Sequence, residues 1–117
     1  MEAARVVPSA LGRITIASGV VAQIVGHVAA ECYGVVGMAA RGRVGRLLSR
    51  DKLTQGIAVG GSGGALTIDV HVVVEYGLNL AEVAATVRSQ VAYEVERITR
   101  LPVAAVEVVI QNVRQSA

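Results

Sequence analysis

Residues 65–79 read Ala-Leu-Thr-Ile-Asp-Val-His-Val-Val-Val-Glu-Tyr-Gly-Leu-Asn, and their alternation decides the fold. In an extended chain Leu66, Ile68, Val70, Val72, Val74 and Tyr76 fall on one face, and Thr67, Asp69, His71, Val73 and Glu75 on the other. This predicts a long strand with one dry and one mostly wet face. Burial of the apolar row, at about 1.5–3 kcal/mol per side chain, makes the strand the largest readable contributor to the core. Gly77 permits a positive φ that stops the strand, and Asn79 with Glu82 forms an N-x-x-E helix start. Strand, turn and helix are specified in one continuous stretch.

Working outward, the helix after Asn79 runs from Leu80 to about Arg100, with Val83, Val87, Val91, Val95 and Ile98 inward. Pro102 prevents its continuation. A last strand, Val103 to Val113, places Val106, Val108 and Ile110 on one face and Glu107, Val109 and Gln111 on the other. On the N-terminal side, Gly56 to Val59 starts a strand, and Gly60 to Gly64 joins it to the long strand as a hairpin loop. Residues 35–40 read as a strand, and Ser18 is placed to cap a helix over about residues 19–32. That helix has an apolar stripe of Val21, Ile24, Val25, Val28, Ala29 and Cys32, and Gly34 ends it. Arg13 to Ala17 reads as a short strand with Ile14 and Ile16 inward. Residues 1–11 read as a short N-terminal tail, because Pro8 and Ser9 discourage regular structure, and residues 12–114 form one domain.

The expected architecture is α+β: a two-layer sandwich with two helices packed on one face of a mixed, mainly antiparallel sheet of about five strands. With 117 residues the chain is long enough to fold without staples. It has no Phe and no Trp, so Val, Ile, Leu and Ala must fill the core, a composition that suits a pleated surface. The shortage of aromatics also removes the stacking platforms of single-stranded nucleic-acid binders.

Cys32 is the sole cysteine, which rules out an internal disulfide and a cysteine-based zinc site. The opening Met1-Glu2-Ala3-Ala4-Arg5 has no basic region followed by an apolar core, so no secretory signal is expected. No apolar run approaches the roughly eighteen residues that span a bilayer, and the expected location is cytoplasmic, with a membrane surface or membrane-bound partner within reach.

The net charge of +2 is concentrated locally. Arg41, Arg43, Arg46, Arg50 and Lys52 are opposed nearby only by Asp51, and Val44, Leu47 and Leu48 share a face if the segment forms a short helix. Three readings stand: a solvated connector, a contact with an anionic surface, or a nucleic-acid contact. Gly42-Arg43-Val44-Gly45 resembles the Gly-x-x-Gly clamp of KH domains, but that clamp joins two helices and this one follows a predicted strand.

Candidate chemistry is sparse. Asp69, His71 and Glu75 share the wet face of the long strand, where neighbours at i and i+2 stand about 7 Å apart, long for shared metal coordination. A solvated or subunit-contacting face explains them better, and Val73 in their midst favours a contact surface. His27 and Glu31 read as a helix-surface pair, with Cys32 in the buried stripe. The Gly60 to Gly64 run lacks a P-loop ending and links two strands, so turn geometry accounts for it. No catalytic set, cofactor site or small-molecule substrate site is expected.

Several segments in order resemble the alkaline shock protein family, the general or envelope stress response proteins of bacteria. They are Gly-Arg-Ile-Thr-Ile at 12–16, Gly-Val-Val-Gly-Met at 34–38, Gly-Ile-Ala-Val at 56–59, Val-Glu-Tyr-Gly-Leu-Asn-Leu at 74–80 and Val-Glu-Val-Val-Ile at 106–110. The resemblance implies a non-enzymatic, self-associating cytoplasmic protein, a scaffold in envelope or general stress homeostasis. It also implies a homo-oligomer and a small membrane-anchored protein partner, and it supplies no catalytic residues. The interaction residues singled out are Arg41, Arg43, Arg46, Arg50 and Lys52, together with Asp69, His71, Val73 and Glu75. The alternative is a nucleic-acid-binding module built on the basic segment.

Overall fold

A computed structural model describes residues 4–9, 12–38, 55–62 and 64–115. The elements in chain order are β1 (Ala4–Ser9), β2 (Gly12–Ala17), α1 (Ser18–Ala30), β3 (Val35–Met38), β4 (Ile57–Ser62), β5 (Ala65–Glu75), α2 (Leu80–Thr99) and β6 (Val103–Arg114). The α+β architecture expected from the sequence is present, and three of the four strand pairings are antiparallel.

β5 is the hub of the main sheet. β6 runs parallel along one of its edges from Leu66 to Glu75. Parallel neighbours need a crossover, and α2 supplies it between β5 and β6. The other edge of β5 is shared by two antiparallel strands laid end to end, β4 against Ala65 to Val70 and β3 against Val72 to Val74. Backbone hydrogen bonds fix this division. His71 and Glu75 donate their amides to Gly56 and Gly34 on the β4 and β3 side, while Leu66 and Tyr76 donate to Pro102 and Arg114 on the β6 side. Odd-numbered residues of β5 thus bond one edge and even-numbered residues the other.

The inner face of β5 is as read: Leu66, Ile68, Val70, Val72 and Val74 are fully buried. They meet Val21, Val25 and Ala29 of α1 and Val83, Val87, Val91 and Val95 of α2 in one apolar cluster without aromatics. Ile24, Val28 and Cys32 of the predicted α1 stripe pack at its margin. The start of α2 is also as read, with the Glu82 amide donating to Asn79 Oδ1 at 3.1 Å and Gly77 at φ 100°.

Several details differ from the sequence reading. Tyr76, expected inward, is 64% exposed, because the strand ends at Glu75 and the tyrosine already belongs to the turn. Ile98, also expected inward, is 49% exposed, and Thr99 is buried in its place. The buried positions of α2 continue in steps of four through Thr99, and each such step advances about 40° around a helix of 3.6 residues per turn. The stripe therefore winds past Ile98. The Thr99 hydroxyl donates to the Val95 carbonyl and accepts from the Leu101 amide, which satisfies it in the interior.

Ser18 is the first residue of α1 and is buried. The capping position falls on Ala17, which makes no side-chain cap hydrogen bond. The glycine run is mostly strand: Gly60 and Gly61 pair with Thr67 and Leu66, and Ser62 pairs with Ala65. A Cβ at Gly61 would overlap the Ala65 carbonyl, so the close approach of the two strands requires the glycine. Residues 4–9, read as tail, form β1 and pair antiparallel with β2 in a separate two-stranded sheet. Pro8 is tolerated there because a two-stranded ribbon consists of edges. Ile16 packs against the core, but Ile14 is exposed.

Candidate interaction surface

Among the described residues both helices pack on the inner face of the main sheet. On β5 the outer face carries Asp69 and His71, which alternate with the buried Ile68, Val70 and Val72. In register beside them stand Glu107 and Val109 of β6, and Ala58 of β4 lies opposite Asp69. His71 Nδ1–H donates to Gln111 Oε1 at 2.7 Å, which ties β5 to β6 across this face. Asp69 beside Glu107 places two carboxylates at one level of the ladder, an unfavourable cross-strand pair. Glu75 pairs in register with Arg114, a compensating opposite pair at the strand's end.

Val73 behaves differently from the exposed contact residue the alternation suggested. It retains only 7% of its surface and is not part of the helix-side core. The pairings on both its edges shift register beside it, between Val35 and Gly37 on β3 and between Val72 and Val73 against β6. Both shifts place the extra residue in the partner strand, Val36 of β3 and Gln111 of β6, so β5 keeps its alternation through Val73. The accessible apolar residue at the middle of the outer face is Val109, half-buried between Glu107 and Gln111. Alternation within β6 marks Val109, but its position beside His71 depends on the parallel register. Of the predicted interaction residues, Asp69, His71 and Glu75 lie along one strand and are half-buried. Arg41, Arg43, Arg46, Arg50 and Lys52 fall outside the described residues.

A concavity of about 370 Å³ lies between the helices and is lined by His27, Val28, Glu31, Cys32, Gln90 and Glu94. The sequence reading placed His27, Glu31 and Cys32 near one another and missed the α2 half. Gln90 and Glu94 stand at i and i+4, one face of a helix, but only the packing of α2 against α1 brings that face to the cleft. Glu94 is engaged by Arg97, with Nη2 to Oε1 at 2.6 Å. The Cys32 thiol lies 3.4 Å from the Val28 carbonyl. Burial, and then the neighbouring Glu31 charge, push its pKa above the ordinary thiol value, which keeps it protonated and poorly nucleophilic. Among the described residues no group of three His, Cys, Asp or Glu side chains is placed to hold a metal ion.

Residues 7–115 match the model of the alkaline shock protein 23 family, described as having a cell envelope-related function. The chain belongs to this family. Its relatives include the uncharacterised protein YloU of Bacillus subtilis (strain 168), 34% identical over 107 residues that make up 88% of this chain and 89% of YloU. Another is the uncharacterised protein Spy1614 of Streptococcus pyogenes serotype M6, 30% identical over 107 residues, 88% of each chain. Among solved structures, a MamM CTD variant in a zinc form superposes with a TM-score of 0.50 at 14% identity, covering 86% of this chain and 87% of that one. At that identity the likeness concerns the fold alone. Among the described residues no helix of this family member is long and apolar enough to cross a membrane.

Proposed function

We propose that the protein is a non-enzymatic, self-associating structural protein of envelope or general stress homeostasis. It acts in the cytoplasm and is held near the membrane by a small membrane-anchored protein partner. The observation that carries this reading is the outer face of the sheet. Both helices lie on the opposite side, and the half-buried Val109 sits among Asp69, His71, Glu107 and Gln111. An apolar centre with a polar rim is the composition of a non-obligate protein interface. The envelope setting is supported by the family's described role. Assignment of the membrane contact to a partner is supported by the two helices, whose apolar stripes are committed to the protein's own core.

Sedimentation velocity over a concentration series tests the reading. The wild type assembles as concentration rises, and Val109→Lys weakens assembly about tenfold, equivalent to about 1.4 kcal/mol, with the unfolding midpoint little changed. Assembly unaffected by Val109→Lys would remove the outer face from the account. Salt-sensitive co-sedimentation with a generic RNA would replace the scaffold with a nucleic-acid role.

A further inference from the structure

We infer that the free edge of β6 pairs antiparallel with β6 of a second copy, about a two-fold axis at Val108, and so joins two sheets into one. The inference rests on the reading of the protein as self-associating and names a contact distinct from the outer face.

The direction of every β6 backbone group follows from the register. Even-numbered β5 residues bond toward β6, and in a parallel ladder such a residue bonds the neighbours on either side of its register partner. Ile68, Val70 and Val72 are partnered by Val106, Val108 and Ile110, so their bonds go to Ala105, Glu107, Val109 and Gln111. The amides and carbonyls of Val106, Val108 and Ile110 therefore point away from the sheet. Among the described residues β6 pairs with β5 alone.

Natural sheets guard such an edge with proline, lysine, inward charges, bulges or a very short strand. Between its two register shifts, at Ala104 and Gln111, β6 has a regular run from Ala105 to Ile110 with none of these: its one charged residue is Glu107, and it contains no proline or lysine. The apolar layer is also incomplete there. Ile68, Val70 and Val72 are fully buried, whereas Val106, Val108 and Ile110 are only partly so.

A second β6 matches both deficits. With Val108 on the axis, Val106 lies opposite Ile110 of the second copy, and each of the three outward residues donates one amide hydrogen bond and accepts one. The register change between Val72 and Val73 leaves Gln111 and Asn112 at the end of this run, so Val108 is the centre that uses all three residues. Their inner side chains meet across the axis and extend the apolar layer from one copy into the next.

Amide hydrogen exchange of the full chain, measured by NMR at low and high protein concentration, tests the pairing. In the associated protein the amides of Val106, Val108 and Ile110 are expected to slow by about tenfold or more, while those of Glu107 and Val109 are protected at both concentrations. Association that leaves the three amides exchanging freely overturns the edge pairing alone. Protection already complete in the monomer also overturns it, because the chain then covers its own edge. Absence of association at any concentration overturns the pairing and the self-associating reading together.

Val108→Pro removes the central outward amide at a position where an edge strand tolerates proline. It is expected to restrict assembly to pairs joined by the outer face, and Val109→Lys to pairs joined by β6. Assembly by a folded Val108→Pro indistinguishable from that of the wild type also overturns the pairing.

Discussion

Gly34 holds the turn between α1 and β3 at φ 92°, and its carbonyl accepts the Glu75 amide that closes the end of β5. A Cβ there would stand 2.9 Å from Leu78 Cδ1 and 3.0 Å from Val83 Cγ2. Gly34→Ala therefore combines left-handed strain with overpacking, and we expect a loss of about 2–4 kcal/mol, read as a drop in Tm by thermal melting. The sequence marks Gly34 as a terminator, but α1 stops earlier, at Ala30, with Glu31 as its cap. What makes the glycine indispensable is the approach of Leu78 and Val83 from the start of α2, a non-local contact that a local signal cannot carry. Val73 is similar: its alternation is plain in sequence, and its burial between two strands that each carry an extra residue beside it is not.

At the scale of elements, α2 illustrates both what is legible and what is lost. Asn79 caps it through Glu82 as the motif requires, and the valines in steps of four face the core. The end of the helix depends on a residue that is not the usual one for its conformation. Arg100 adopts φ 63°, left-handed, with its amide bonded to the Glu96 carbonyl. Helices commonly place glycine at such a position. Arg100→Gly is expected to raise stability by about 1 kcal/mol, measured as a higher urea midpoint at unchanged m. β5 was legible because alternation and burial coincide along the inner-face row from Leu66 to Val74. The β1–β2 ribbon was not, because Pro8 argues against a strand unless both strands are known to be edges.

For the whole molecule, the two layers and the helix-covered face follow from one-sided stripes and one-sided strands, which is why the α+β architecture was readable. Which edges meet was not readable, since strand order rests on non-local pairing. The outer face was found by alternation, the cleft only by half, and the β6 edge only once the hydrogen-bond direction of Leu66 and Tyr76 was known.

The end-to-end placement of β3 and β4 has a consequence for the basic segment. Met38 pairs with Val72, Gly56 bonds His71 and Ile57 pairs with Val70, so the two short strands occupy consecutive rungs of β5. Splicing Met38 directly to Gly56 would therefore yield one uninterrupted strand in the register already present. A chain lacking residues 39–55 should fold with the same sheet, shown by circular dichroism and a cooperative melt, while its net charge changes sign from +2 to negative. Loss of the fold would mean that the excised stretch contributes to it. Retention would make the arginine-rich stretch a cassette that the sheet carries without needing it, free to change in sequence without disturbing the strand it interrupts.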